Sequence, residues 1–360
     1  YAVWEDHSRK KEPENYLVSL SLNGSPGRGK VVVSGDDFYS SPRFSPSGKK
    51  VAWLSWNHPN MPWDGTDLHI GTLNGENEVV SSKIIAGSEN ESVTQPKWGP
   101  NGDLYFISDG SGWWNIYRWS NGTVQKVTDR QAEFSGPSWQ FGQSNYDFLS
   151  PSSLVVSYTR EGRWFVGQLP SAGGEIREFE VPYTQISSVR TKGDEVWFIG
   201  GSPKSPLGVR KYDSDDGTID TVKLSTSFEV SEGYISSPRS IRFDSGGTTV
   251  HGFYYRPQNE EFEGPESEKP PLLVISHGGP TSSASDDLSP KVQFWTSRGF
   301  AVLDVNYRGS TGFGRDYREE LKGEWGVADV EDCCNGALCL INEGEVDGER
   351  LIIRGGSAGG

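Results

Sequence analysis

The sequence predicts two kinds of fold in succession: an all-β region built like propeller blades over residues 1–235, then an alternating α/β region over residues 236–360. Three observations lead to this prediction. Short β-rich runs separated by turn dipeptides fill the first region, a turn-plus-strand motif recurs within it, and strand and helix patterns alternate after about residue 235. A length of 360 residues is itself typical of two domains.

The first region has many short β-rich segments and no helical periodicity of useful length. Turn dipeptides such as Asn101-Gly102 and Asn121-Gly122 separate these segments, as expected for hairpins. The clearest predicted strands are residues 16–22, 50–55, 104–108, 154–158 and 195–199.

A weak internal repeat indicates the blades. Residues 42–48 (PRFSPSG) and 96–102 (PKWGPNG) each precede a strand, and residues 137–139 (PSW) match the first half only. Their aromatic residues, Phe44, Trp98 and Trp139, are 54 and 41 residues apart, close to the length of a four-stranded blade. We therefore expect Phe44, Trp98 and Trp139 to occupy equivalent positions in their blades. We also expect the blades to form an incomplete ring with an exposed edge strand. A β-sandwich remains the alternative.

The second region begins with a predicted hairpin, residues 240–243 and 250–255, around a Gly-Gly turn. Apolar strands and amphipathic helices then alternate, which predicts a parallel, doubly wound sheet. The predicted strands are residues 272–276, 300–305 and 351–354, and the predicted helices begin near 292 and near 330.

Composition excludes several classes of function. There are 34 basic and 49 acidic residues, so the formal net charge is −15, which argues against binding to nucleic acids or anionic membranes. No apolar run approaches the roughly 20 residues of a membrane span. No P-loop, dinucleotide fingerprint or metal cluster is found, so we expect no cofactor and no metal.

The cysteines and the chain ends bear on the compartment. Cys333, Cys334 and Cys339 lie within seven residues, so no disulfide framework is expected and a reducing compartment is favoured. We expect the cytoplasm, with an organelle such as the chloroplast as the alternative. The chain starts at Tyr1 and stops at Gly360 within a glycine-rich stretch, so we expect a fragment of a longer polypeptide. The sequence leaves open whether the chain forms a homo-oligomer.

The strongest chemical signal is Gly355-Gly356-Ser357-Ala358-Gly359, which fits G-x-S-x-G directly after an apolar strand. In such a nucleophile elbow, the serine lies on a sharp strand-to-helix turn, and the flanking glycines let the strand and helix approach. We therefore predict Ser357 as the catalytic nucleophile. The backbone N–H of Ala358 is predicted to stabilise the oxyanion of the reaction.

A second motif, His277-Gly278-Gly279-Pro280, directly follows the predicted strand at residues 272–276. In α/β-hydrolases the second oxyanion donor comes from a loop at this place. We predict the N–H of Gly279 as that donor, with Gly278 as the fallback, whereas an ordinary Gly-Pro turn is the alternative. His277 is predicted to support the loop, and its use as a substitute base is the less favoured reading.

These motifs together resemble the prolyl oligopeptidase family of serine peptidases, in the acylaminoacyl-peptidase and dipeptidyl-aminopeptidase-like branch. The resemblance rests on His-Gly-Gly-Pro, on residues 306–314 (NYRGSTGFG) and on residues 355–360 (GGSAGG). Residues 56–65 and 112–117 are similar to blade sequences of that branch. The resemblance implies a propeller that caps an α/β-hydrolase domain, here truncated after the nucleophile elbow, and limits access to short peptides.

Two departures from the family pattern matter. The catalytic order in this fold is Ser, then Asp, then His, but only three residues follow Ser357 and all five histidines precede it. We therefore expect the acid and the base in sequence outside this chain, and the chain alone to be nearly inactive. Phe313 also stands where the prolyl-specific and dipeptidyl enzymes carry a tyrosine that donates to the oxyanion, which favours the acylaminoacyl-like branch.

The sequence thus predicts a serine peptidase that hydrolyses short peptides through an acyl-enzyme at Ser357. A carboxylesterase with the same elbow and a non-catalytic propeller scaffold remain alternatives. Among other charged residues, Arg308 is predicted either to orient a backbone or carboxylate group in its loop or to form a structural salt bridge. Asp329 and Asp332 are expected to be helix caps or surface charges.

Overall fold

The computed structural model describes residues 1–8, 12–24, 27, 29–227 and 229–360, which form two compact units. The first unit contains Tyr1–Arg130, Pro137–Leu154 and Leu169–Ile176. The second contains Gln131–Gly136, Val155–Gln168 and Arg177–Gly360.

The first three sheets lie in the first unit, and in each of them consecutive strands are neighbours. The first sheet has three strands: β1 (Ala2–Asp6), β2 (Glu14–Ser19) and β3 (Lys30–Val33). The second has four: β4 (Phe38–Phe44), β5 (Lys50–Trp56), β6 (Thr66–Leu73) and β7 (Val79–Ser88). The third also has four: β8 (Val93–Trp98), β9 (Leu104–Ser108), β10 (Asn115–Ser120) and β11 (Thr123–Lys126).

Two further four-stranded sheets follow the same sequential order. The fourth sheet contains β12 (Tyr146–Ser150), β13 (Ser153–Arg160), β14 (Arg163–Pro170) and β15 (Arg177–Glu178). The fifth contains β16 (Gln185–Lys192), β17 (Glu195–Ser202), β18 (Ser205–Asp213) and β19 (Ile219–Leu224). Four strands in sequential order are the unit from which propeller blades are built.

The predicted repeat marks the first strand of two successive sheets. Phe44 ends β4 and Trp98 ends β8, and the indole N–H of Trp98 donates to the carbonyl of Arg43 at 2.9 Å. Trp139 lies outside every strand, and its ring packs against Trp63 with 4.4 Å between ring centroids. The expectation that all three aromatic residues occupy equivalent positions is therefore wrong for Trp139.

The last sheet has five strands and belongs to the second unit. Its strands are β20 (Arg239–Ser245), β21 (Thr248–Tyr255), β22 (Leu272–Ser276), β23 (Ala301–Asn306) and β24 (Leu351–Gly355). In the order β20-β21-β23-β22-β24, the last three strands are parallel and the first two pair antiparallel. The predicted parallel sheet is therefore mixed, because the predicted hairpin of β20 and β21 joins it at one edge.

Helices cover both faces of this sheet. The helices are α1 (Pro290–Thr296), α2 (Arg315–Glu319) and α3 (Ala328–Asn342), with 3-10 turns at Glu232–Tyr234 and Ser357–Gly359. Alternate residues of β22 point to opposite faces: Leu272 belongs to the core that includes α3, and Leu273 to the core that includes α1. Among the described residues, β24 has a neighbouring strand on one side only, and Leu351, Ile352 and Ile353 are exposed.

Helix α3 carries the three cysteines, all of them free thiols. Burial is the main reason why the pKa of Cys333 rises to about 12, so its thiol stays protonated at neutral pH. In the part of the chain that the structure describes, no helix has both the length and the apolar character that crossing a bilayer requires.

An ion pair joins α3 to the loop that follows β23. The backbone N–H of Arg308 donates to Asp332 at 2.7 Å, and its guanidinium lies 2.8 Å from the same carboxylate. Asp332 is fully buried, so the expectation of a cap or a surface charge at this position is wrong. Asp329 does act at the helix start, where its carboxylate accepts the N–H of Gly326.

We expect Asp332→Ala to lower the free energy of unfolding by about 3–5 kcal/mol, because it leaves the largely buried guanidinium of Arg308 without its main partner. Glu331→Ala is the matched control. It removes a half-exposed carboxylate that pairs with the same guanidinium, and should cost less than about 1 kcal/mol. Urea-induced unfolding measures both values, and equal losses would contradict the assignment of Asp332 as the buried anchor.

Candidate active site

Ser357 is the first residue of the short 3-10 segment after β24, and its φ is +55°. A non-glycine residue in left-handed backbone is strained, at a cost of order 1–3 kcal/mol, and such residues cluster at functional sites. This conformation is the one expected of a nucleophile elbow, where the turn holds the serine hydroxyl out of the sheet.

Gly355 and Gly359, two residues before and two after Ser357, have to be glycines because a side chain at either position would collide with backbone atoms. A Cβ atom added at Gly355 would lie 1.6 Å from the carbonyl oxygen of Gly359, and one added at Gly359 would lie 2.3 Å from the carbonyl oxygen of Ser276. Both distances are far too short for any side chain. Gly356 is different, because a Cβ added there would meet no atom within 4 Å.

The sheet brings the two glycine motifs together. β22 and β24 are parallel neighbours, and Ser276 pairs with Gly355 at their carboxyl ends. A Cβ added at Gly278 would lie 3.3 Å from the Cβ of Ser357, so the loop after β22 packs directly against the serine. Gly279 has φ at +132°, a backbone conformation available almost only to glycine.

The predicted oxyanion donors lie in the same place as Ser357. Ser357, Ala358 and Gly279 line one cavity of about 810 Å³. Among the described residues, the N–H groups of Gly279 and Ala358 have no hydrogen-bond acceptor, and neither does that of Gly278. The structure therefore leaves these donors available for a developing oxyanion, and the choice between the two glycines stays a prediction.

His277 is held by its own loop and by the segment that follows β23. Its Nδ1–H donates to the carbonyl of Gly278 at 2.8 Å, its Nε2 lies 2.8 Å from Ser310 Oγ, and its ring stacks on Tyr307 at 4.3 Å. Burial lowers the pKa of His277, which keeps the ring neutral at neutral pH. Both ring nitrogens are engaged away from Ser357, an arrangement that suits support of the loop better than the role of a base.

Sequence reasoning missed two supporting side chains. The hydroxyl of Ser276 donates to the carbonyl of Gly359 at 2.7 Å and so ties the elbow to β22. The hydroxyl of Tyr307 donates to the carbonyl of His277 at 2.7 Å. The available signal was a small polar residue at the end of a buried strand, directly before the glycine loop.

Phe313, at the position where the sequence resemblance implies a tyrosine, packs against His251 rather than offering a donor. The two rings stack with 4.3 Å between their centroids, and the ring of Tyr317 contacts both of them. Burial is the main reason why the pKa of His251 falls to about 4, and the neighbouring positive charge of Arg242 lowers it further. His251 is therefore a neutral aromatic ring at neutral pH.

Because the pKa of His251 is lowered, the free energy of unfolding should depend on pH. Because the pKa of His251 is lower in the folded chain than its ordinary value of about 6.5, the unfolded chain binds that proton more tightly. Stability is therefore lost as the pH falls from about 6.5 towards about 4. We expect the melting temperature of His251→Phe to fall less between about pH 7 and about pH 5 than that of the unchanged chain.

The matched control is His7→Phe, at an exposed histidine. Its melting temperature should follow that of the unchanged chain across the same pH range. A pH dependence that is identical in His251→Phe and in the unchanged chain would contradict a neutral, buried His251.

Comparisons with known proteins agree with this geometry. Residues 286–360 match the model of the prolyl oligopeptidase family. The chain is 29% identical to dipeptidyl aminopeptidase BIII of Pseudoxanthomonas mexicana over 215 residues, which are 58% of this chain and 31% of that protein. It is 39% identical to the acylamino-acid-releasing enzyme of Arabidopsis thaliana over 90 residues, 25% of this chain and 12% of that protein.

A solved structure supports the fold over almost the whole chain. The puromycin-hydrolyzing peptidase of Mycobacterium tuberculosis superposes with a TM-score of 0.91 and 37% identity, covering 97% of this chain and 54% of that protein. The chain thus spans about a third of the length of that aminopeptidase and about half of the length of this solved structure. The predicted fold class, propeller blades followed by the start of an α/β-hydrolase domain, is confirmed. Residues 286–360 are thus assigned to the prolyl oligopeptidase family, and the likeness of fold extends over almost all of the remaining chain.

Proposed function

We propose that this chain carries the nucleophile of a serine peptidase that hydrolyses short peptides through an acyl-enzyme at Ser357. One observation carries the proposal: a strained serine at the end of β24 shares a cavity with Gly279 and Ala358, whose backbone N–H groups have no acceptor among the described residues. Preorganised donors of this kind stabilise the negative charge that develops on a carbonyl under attack.

The reaction follows from this geometry. Ser357 Oγ attacks the scissile carbonyl, and the N–H groups of Gly279 and Ala358 donate to the oxygen as it becomes negative. A base takes the serine proton and returns it to the leaving amine, which gives the acyl-enzyme. Water then hydrolyses this ester and restores Ser357. Among the described residues, no histidine is a hydrogen-bond partner of Ser357.

Two observations support a peptide substrate over a carboxylic ester. The relatives and the solved structure are named as peptidases or as releasing an acylamino acid. Phe313 has no hydroxyl, so backbone N–H groups alone form the proposed oxyanion hole, as expected for the acylaminoacyl-like branch.

The proposal predicts selective labelling of one serine. We expect a fluorophosphonate to label Ser357 in the full-length gene product, and Ser357→Ala to abolish both labelling and hydrolysis of aminoacyl nitroanilides. Ser283→Ala, at an exposed serine of the loop after Gly279, is the matched control and should keep both. Hydrolysis of nitrophenyl esters without any hydrolysis of nitroanilides would favour an esterase, and unlabelled Ser357 in an active preparation would contradict the proposal.

The chain of 360 residues, prepared alone, should not turn over peptides, because both ring nitrogens of His277 are engaged by Gly278 and Ser310, away from Ser357. A chromogenic peptide assay at high protein concentration measures this. Hydrolysis by that chain, lost in Ser357→Ala, would overturn this expectation and make His277 the candidate base.

A further inference from the structure

A buried carboxylate connects the loop after β22 to strands of the fourth and fifth sheets. Asp286 is fully buried, seven residues after Gly279. Its Oδ1 accepts the hydroxyl hydrogen of Thr184 at 2.7 Å, and its Oδ2 lies 3.3 Å from Arg163 Nε. Thr184 directly precedes β16, and Arg163 is the first residue of β14. All three residues belong to the second compact unit.

The same loop is held at three further points. The carbonyl of Ser282 accepts the N–H of Thr311 at 2.8 Å, and the N–H of Ala284 donates to Asn306 Oδ1 at 2.7 Å. The N–H of Leu288 donates to the carbonyl of Ser202, the last residue of β17, at 2.9 Å. The first half of the loop is therefore held by β23 and the segment after it, and the second half by residues of the fourth and fifth sheets and by Thr184.

The chemistry of Asp286 argues for a role beyond stability. A buried carboxylate loses its hydration, and a well-packed apolar side chain at the same place often stabilises a fold as well or better. Its two partners offer fixed geometry instead: the hydroxyl of Thr184 and the half-exposed guanidinium of Arg163 define where the carboxylate, and hence the loop backbone, lies. An apolar contact would allow the loop to slide.

We infer that Asp286 is a positioning residue, which orients the Gly278–Gly279 backbone towards Ser357 by tying the loop at residues 277–289 to Thr184 and Arg163. This inference rests on the proposed function, since orientation of these N–H groups matters only if they bind an oxyanion. A displacement of about 1 Å in such a donor is enough to cost roughly 10²-fold in rate.

The first test measures the loop directly and needs no activity. Amide hydrogen exchange of residues 277–289 should become about ten-fold faster in Asp286→Asn, which removes the charge that faces Arg163, and in the nearly isosteric Thr184→Val, which removes the hydroxyl that donates to Asp286. Asp287→Asn is the matched control, because among the described residues Asp287 accepts a side-chain hydrogen bond from Ser285 of its own loop and from no other side chain, so exchange should stay unchanged. Unchanged exchange in both Asp286→Asn and Thr184→Val would show that Asp286 does not hold this loop in place.

The second test measures kcat per serine labelled by a fluorophosphonate, which corrects for misfolded protein. We expect Asp286→Asn to lower kcat about 10- to 100-fold with KM within about two-fold, and Thr184→Val added to it to cause little further loss. A normal kcat per labelled serine, even with faster exchange, would reduce Asp286 to a structural contact and overturn the inference. If the unmutated enzyme is not labelled, the proposed function fails. The exchange experiment then still decides whether Asp286 holds the loop at residues 277–289 in place.

Discussion

Replacing Gly355 by alanine is expected to destroy the nucleophile elbow. The new Cβ would lie 1.6 Å from the carbonyl oxygen of Gly359 and 2.7 Å from Ser276 Oγ, so β24 and the turn after Ser357 cannot keep their positions. Fluorophosphonate labelling of Ser357 in the full-length gene product should slow by at least about 10²-fold, the cost of a displacement of roughly 1 Å at a reacting group. The second-order rate constant of labelling is the measurement.

Gly356→Ala provides the matched control one residue away. Its backbone is extended, with φ at −154°, and a Cβ there would meet no atom within 4 Å. Labelling of this variant should stay within about two-fold of the unchanged enzyme, because nothing has to move. A similar loss in both variants, or normal labelling in Gly355→Ala, would contradict the elbow geometry.

Gly279→Ala is expected to remove one donor of the proposed oxyanion hole. Gly279 has φ at +132°, and a Cβ there would lie 2.7 Å from the backbone nitrogen of Thr281. The peptide must rotate to relieve this contact, which turns the N–H away from Ser357. Loss of one such donor costs about 2.7–4 kcal/mol of transition-state stabilisation, or roughly 10²–10³ in kcat. Steady-state hydrolysis of aminoacyl nitroanilides should show this loss with little change in KM.

The control for backbone strain is Gly344→Ala. Gly344 follows α3, has φ at +71° and has open space where a Cβ would lie. This variant should lose stability, since alanine is strained in left-handed backbone, but it should keep its kcat per labelled serine. If Gly344→Ala loses kcat as strongly as Gly279→Ala does, strain in general, and not the position of one N–H group, explains the effect.

Strand boundaries could be predicted best from the sequence where a strand is buried along most of its length. The predicted strand at residues 104–108 matches β9, and the one at residues 272–276 matches β22, because apolar runs bounded by turn residues leave little choice of boundary. The two glycine motifs could be paired in advance for a similar reason. Both directly follow parallel strands, and the carboxyl ends of parallel strands meet at one edge of the sheet.

Other features depend on contacts that are distant in sequence. Trp139 carries half of the repeat but lacks the turn and the strand that follow in the other two copies, so its ring packs on Trp63 outside the strands. Asp332 resembles a surface charge on the helix until Arg308, 24 residues earlier, is placed against it. The short helix α2 has too few residues to show a helical period.

The open side of β24 has a practical consequence for handling the chain. Leu351, Ile352 and Ile353 form a β-prone apolar run with exposed side chains, and among the described residues no strand pairs with the outer edge of β24. Such an edge is a template on which another molecule can add a strand. In concentrated solution the 360-residue chain should therefore self-associate through this edge, and Ile353→Lys, at the most exposed of the three residues, should keep the chain monomeric.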